Sequence, residues 1–177
     1  MTTAEYFRTP ETLKPQELIY GVLRVADSPA VVHQRLVAAL YRALHAHVDE
    51  HRLGEVLLSP LDVVFDAPKG LVLQPDLMFV SRDRDLIIND RVFGAPDLVI
   101  EVLSPRPRIG TLDERVGWFA QYGVAECWLV HQFERRVEVL SFAGGRVTER
   151  AAFTRGQRIA SAVLPLFDRT FDSIAGW

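Results

Sequence analysis

A mixed α/β domain, one sheet flanked by helices, is what the pattern of this chain predicts. Three observations carry that expectation. The chain has 177 residues, of which 49% are hydrophobic, enough for one sizeable core and crowded for two. One long stretch free of Gly and Pro has helical periodicity, and strand-sized pieces follow it. After residue 97 the order runs strand, helix, strand, which requires a crossover in a parallel or mixed sheet. No internal repeat, low-complexity tract or linker interrupts residues 1–177, so the expectation is a single domain.

Taken in order, Glu17-Leu-Ile-Tyr-Gly-Val-Leu-Arg-Val25 sets β-branched and aromatic residues around Tyr20-Gly21, as in a short hairpin. Residues 30–51 place Val37, Leu40, Leu44 and Val48 on one stripe, with Arg35, Arg42 and Glu50 elsewhere, and Ser28-Pro29 stands at the entry. Beyond Gly54 come Glu55-Val-Leu-Leu58 and Leu61-Asp-Val-Val-Phe65, a turn at Ala67-Pro-Lys-Gly70, and a strand region through Val80. Residues 97–103 are nearly all apolar, as in a strand covered on both faces, and Glu101 is the polar residue inside that run. Residues 112–122 read as a helix with Leu112, Val116, Phe119 and Ala120 inward, ended near Gly123. Two more strands follow at Glu126–Val130 and Arg136–Leu140, with a turn at Gly144-Gly145.

Composition bounds the function. No apolar run approaches the roughly 20 residues that a bilayer span needs, and the start, Met1-Thr-Thr-Ala-Glu-Tyr-Phe-Arg8, lacks the pattern of a secretory signal. A cytoplasmic location is the expectation. The single Cys127, beside Trp128 and Leu129, suggests a core thiol. The net charge of −3 argues against a surface coated in cations for indiscriminate DNA binding, though not against a local basic cleft. Of the 20 basic residues only Lys14 and Lys69 are lysines, which matters for the catalytic options below.

Asp76, in Gln74-Pro-Asp-Leu-Met-Phe-Val80, and Glu101, in Pro96-Asp-Leu-Val-Ile-Glu-Val-Leu-Ser-Pro105, each place a carboxylate in an apolar strand context. A carboxylate buried alone is costly or takes up a proton, whereas a divalent cation between two offsets both charges. Mg²⁺ or Mn²⁺ suits such an all-oxygen site and would polarise a phosphodiester. Acidic residues at strand ends also cap turns or pair with arginine, so spacing alone leaves both readings open.

The ordered set Gln74-Pro-Asp-Leu77, Pro96-Asp-Leu-Val-Ile-Glu-Val-Leu-Ser-Pro105 and Gly123-Val-Ala-Glu-Cys-Trp-Leu-Val130 resembles the Uma-type family of restriction endonucleases, within the PD-(D/E)XK nuclease superfamily. Glu17-Leu-Ile-Tyr-Gly-Val-Leu23, His33-Gln-Arg35 and Leu164-Pro-Leu-Phe167 extend the similarity across most of the chain. The resemblance implies a restriction-endonuclease-like fold, a Mg²⁺- or Mn²⁺-dependent DNA endonuclease, Asp76 and Glu101 as metal ligands and the Val102 carbonyl as a third. It also implies a catalytic lysine. Leu103 stands two residues after the glutamate, and the alternative position on the following helix holds Arg115. Arginine keeps the charge and can hold a phosphate oxygen, but cannot lose its proton to act as a base. Lys69 precedes Asp76 by seven residues and would need a fold-back to reach it.

Glu17 matches an acidic position of the family and extends the candidate catalytic set; its alternative is an exposed hairpin residue. His33 opens the long helix, where it could contact a phosphate or hold Glu17, or be an ordinary histidine. Arg106, Arg108 and Arg115 could form a basic rim for nucleic acid beside the acidic pair, or a solvated loop. His47 and His51 have a zinc-chelating spacing but no third ligand nearby in sequence, and Asp97 fits a turn or cap. A homodimer is expected from the fold class, since cutting two strands usually takes two sites. The competing expectation is a nuclease-fold protein that has lost catalysis and binds nucleic acid or a partner.

Overall fold

The computed structural model describes residues 1–10, 12, 14–104 and 111–176. A short helix α1 (Thr3–Tyr6), opened by a Thr2/Glu5 capping box, precedes the hairpin β1 (Gln16–Ile19) and β2 (Val22–Val25). The hairpin turns through Tyr20 and Gly21, both at positive φ, as a two-residue turn matched to strand twist requires. Helix α2 (Val31–His51) follows, ended by Arg52 in the left-handed conformation. Then come β3 (Gly54–Leu58), β4 (Val63–Asp66), β5 (Leu71–Leu73) and β6 (Leu77–Ser81). A 3-10 turn (Arg82–Ile87) leads to β7 (Val92–Phe93) and β8 (Leu98–Leu103). Helix α3 (Leu112–Tyr122), opened by a Thr111/Glu114 capping box and closed by Gly123, crosses to β9 (Glu126–His131). The chain ends through β10 (Arg136–Ala143), β11 (Arg146–Thr154) and α4 (Phe171–Ala175).

The strands divide between two mixed sheets, where the sequence pattern suggested one. The first has the order β2-β1-β5-β4-β7 and the second β11-β10-β9-β8-β6-β3. The predicted crossover is present: β8 pairs parallel with β9, Leu98 opposite Glu126 and Leu103 opposite His131, with α3 between them. Strand β6 runs antiparallel on the other side of β8, Leu77 opposite Ile100.

Alternation along β8 explains its nearly continuous apolar sequence. Leu98, Ile100 and Val102 join a core with Leu36, Leu40, Leu44 and Val48 of α2. Val99 points the other way, into a core with Val63, Leu71 and Leu73 of the first sheet and Val116 and Phe119 of α3. Both faces of β8 are therefore covered. Period two places Glu101 on the Val99 side, toward α3 and the first sheet rather than toward α2. Gly54 shows how closely β3 and β6 approach: at φ +156°, a Cβ there would sit 2.1 Å from the Val80 carbonyl oxygen. No helix among the described residues is long and apolar enough to cross a membrane.

Candidate active site

Asp76 stands immediately before β6 and Glu101 within the adjacent β8, so the two carboxylates come from neighbouring strands. Both line one cavity, with Glu17, His33, Gln74, Val102 and Arg115 also in its wall. Five elements or their approaches thus converge: β1, the first turn of α2, the segment before β6, β8, and the first turn of α3.

Arg115 is the centre of the polar set. Its Nη1 donates to both oxygens of Glu17 at 2.9 and 2.7 Å, while Nε and Nη2 donate to Glu101 Oε1 at 3.1 and 2.6 Å. All three side chains are mostly withdrawn from water, with 11%, 4% and 13% exposure for Arg115, Glu17 and Glu101. Glu17 is therefore not the exposed hairpin residue that one reading allowed. Its Oε1 also accepts the Gln74 backbone N–H at 2.7 Å. Burial pushes the Glu101 carboxyl up to about 7; Arg115 opposes the shift, and the charges of Asp76 and Glu17 add to it. The Arg115 guanidinium moves upward because its two carboxylate partners outweigh its burial.

On the other wall, Asp76 Oδ2 accepts from His33 Nε2 at 3.1 Å and from the Val102 N–H at 2.8 Å. The Asp76 carbonyl accepts the Ser59 N–H at 3.1 Å, which fixes the backbone as well. His33 thus holds Asp76, and not Glu17 as one sequence-based option had it; Glu17 belongs to Arg115. In a strand, the N–H and C=O of one residue face the same neighbour. The Val102 carbonyl therefore shares the edge of β8 that faces Asp76.

Sequence reasoning assigned no role to Gln74 or Asp62. Asp62 accepts from Tyr6 Oη at 2.9 Å, Gln74 Nε2 at 2.9 Å and Arg91 Nε at 3.3 Å. This hub anchors Gln74, whose backbone in turn holds Glu17. The signal for Gln74 lay beside the Pro75-Asp76 pair, but a role exerted through a backbone N–H leaves no side-chain pattern.

The other candidates fall elsewhere. Lys69 does fold back, but onto Asp66 at 3.2 Å, outside the cavity wall. His47 is bonded to the Pro165 carbonyl at 2.9 Å and His51 to the His47 carbonyl at 2.9 Å, and among the described residues no further His, Cys, Asp or Glu joins them in a metal-binding group. Asp97 accepts the Ser81 N–H at 2.7 Å and pairs with Arg84 at 2.8 Å, a structural clasp. Cys127 is buried, and burial raises its thiol well above the ordinary range. Arg106 and Arg108 lie outside the described residues.

Among the described residues, no group of three or more His, Cys, Asp or Glu side chains is placed to hold an ion unaided. The donor set that fits a cation is smaller and all oxygen: Asp76, Glu101 and the Val102 carbonyl. Mg²⁺ and Mn²⁺ suit such a set, because Mg²⁺ in particular keeps several waters and needs only one or two carboxylates. Burial is the main cause of the upward shift of Glu101, and the nearby charges of Asp76 and Glu17 add to it, a repulsion that a cation between the carboxylates would relieve.

The Uma2 family model, described as "Putative restriction endonuclease", matches residues 3–172. This chain belongs to the Uma2 family. Among solved structures, "a putative nuclease belonging to DUF820" from Anabaena variabilis ATCC 29413 matches with a TM-score of 0.82 at 19% identity, covering 100% of this chain and 98% of that one. At that identity the likeness concerns the fold, which is nuclease-like. No curated protein matches the chain.

The raised Glu101 carboxyl leads to an expected pH dependence of stability in this Uma2 protein. A carboxyl whose folded value lies above its unfolded value of 4.5 binds more protons in the folded state between the two. Its contribution is present below pH 4.5 and lost as pH rises through about 7. The expected result, in metal-free buffer, is that urea stability declines across that window and that Glu101→Gln flattens the decline. An unchanged pH profile in the variant would contradict the assignment.

Proposed function

We propose that this Uma2 protein is a Mg²⁺- or Mn²⁺-dependent DNA endonuclease that hydrolyses phosphodiester bonds at the cavity between Asp76 and Glu101. The observation that carries the reading is the convergence of these two carboxylates, from adjacent strands, on one cavity whose wall includes Val102, with the Val102 N–H bonded to Asp76. A divalent ion held there would supply Lewis-acid polarisation of the phosphodiester and activation of water.

The chain's own residues have separable tasks. Asp76, Glu101 and Val102 would hold the ion. Arg115 holds Glu17 and Glu101 in place through four hydrogen bonds, and its fixed positive charge would favour the charge that builds up on a phosphoryl group bound in the cavity. It moves no proton. Arg106 and Arg108, a few residues beyond Glu101 in sequence, would supply phosphate contacts that position DNA without reading its sequence. A homodimer would present two such cavities to two strands; a monomer by sedimentation at working concentration would contradict that part.

The second reading, a nuclease-fold protein that binds nucleic acid or a partner without cutting, has one observation in its favour. Arg115, at the position where the family resemblance implies a lysine, commits its guanidinium to two carboxylates. Plasmid nicking by the wild type and by Arg115→Lys separates the two readings. The endonuclease reading expects Mn²⁺-dependent nicking by the wild type and at most a several-fold change in the variant. A wild type that does not nick, beside an Arg115→Lys form that does, would establish the second reading.

A further inference from the structure

We propose that His33 is a positioning residue for Asp76, and that with the Val102 N–H it makes Asp76 a one-oxygen ligand, favouring a small octahedral ion over Ca²⁺. The inference rests on the proposed reading of the cavity as a divalent-ion site and adds which residue sets the ion preference.

The geometry is specific about which oxygen is engaged. Both donors, His33 Nε2 at 3.1 Å and the Val102 N–H at 2.8 Å, converge on Oδ2 of Asp76. A carboxylate oxygen has two lone pairs, and two donors use both. Oδ1 is then the oxygen left to bind a cation. A bidentate grip, one of the modes Ca²⁺ uses, would require Oδ2 to give up one of these bonds. Mg²⁺ demands near-ideal octahedral geometry and is served by one oxygen from each carboxylate.

His33 is also held rigidly enough for the task. It lies in the first turn of the 21-residue α2 and is 3% exposed. A carboxylate only accepts, so Nε2 carries the hydrogen in the bond to Asp76. Nδ1 is buried and has no hydrogen-bond partner among the described residues. Leaving a buried polar atom unpaired is unfavourable. A side chain kept for packing alone has no reason to carry that cost, which points to the Nε2 contact as what the residue is for.

The test is calorimetric titration of Mn²⁺ and, separately, Ca²⁺ into metal-free wild type, His33→Leu, His33→Asn and His33→Gln. Leu removes the donor, the Asn amide is too short to reach Asp76, and the Gln amide can place an N–H where Nε2 was. The expected result is that the wild type prefers Mn²⁺ to Ca²⁺, and that Leu and Asn lose about 10–100-fold in Mn²⁺ affinity with a narrowed Mn²⁺/Ca²⁺ ratio. Gln should retain most of both. Two donor-less variants of different polarity keep the comparison open should one fail to fold. Wild-type Mn²⁺ affinity and ratio in a folded Leu or Asn form would overturn the role of His33 while leaving the ion site standing. Absence of Mn²⁺ binding by the wild type would overturn the ion site and this inference together.

Discussion

An Asp76→Asn variant is expected to lose Mn²⁺ binding and at least about a hundred-fold in plasmid nicking, because the charge removed is worth several kcal/mol to a bound ion and each 1.4 kcal/mol is tenfold. The fold should survive. In the wild type the side chain accepts two hydrogen bonds on one oxygen, from His33 and the Val102 N–H, and the Asn carbonyl oxygen can accept the same two. Urea denaturation should therefore place the variant within about 1 kcal/mol of the wild type, the scale of a single hydrogen bond. Nicking at the wild-type rate by a folded Asp76→Asn protein would remove Asp76 from the mechanism.

The second large effect concerns stability rather than activity. Arg115→Met deletes the cation shared by Glu17 and Glu101 and leaves two carboxylates mostly buried without a counter-charge. Breaking a buried pair in this way typically costs about 3–5 kcal/mol. The loss should be greatest at alkaline pH and shrink under acid conditions, because Arg115 is what opposes the upward shift of Glu101, and protonation of that carboxyl relieves its burial. Urea midpoints of wild type and variant on either side of the Glu101 value of about 7 check both size and sign. A uniform loss at every pH would show that Arg115 acts through packing, for instance over Phe119 at 5.7 Å, rather than through charge.

What could be read from the sequence was what periodicity encodes. Helices α2 and α3 follow from stripes that the cores use: Leu40, Leu44 and Val48 in one, Val116 and Phe119 in the other. The apolar run of β8 announced a strand covered twice, and the crossover to β9 followed from element order. The division into two sheets was not legible, because a strand's pattern shows which faces are buried but not which strand it pairs with. Strand β11 was missed for another reason: most of Arg146–Thr154 is exposed and polar at an edge, without the alternation that marks a half-buried strand.

The candidate site was partly legible. Glu101 interrupts an apolar strand and Asp76 directly precedes one, and that conflict between charge and burial can be detected along a chain. The Glu17–Arg115 pair joins residues 98 apart, and nothing local in sequence announces such a contact. Asp62 and Gln74 work from behind the cavity wall, through a hub and a backbone N–H, and polar residues in such roles look like loop residues. His33 was visible as a candidate, but its partner was not.

The central claim is that Asp76 and Glu101 together hold one divalent ion, and a crystal soaked in Mn²⁺ tests it most directly through anomalous scattering. The account predicts a single strong anomalous peak within coordination distance of an Asp76 oxygen, a Glu101 oxygen and the Val102 carbonyl. Anomalous density elsewhere on the protein, with none between these two carboxylates, would contradict it.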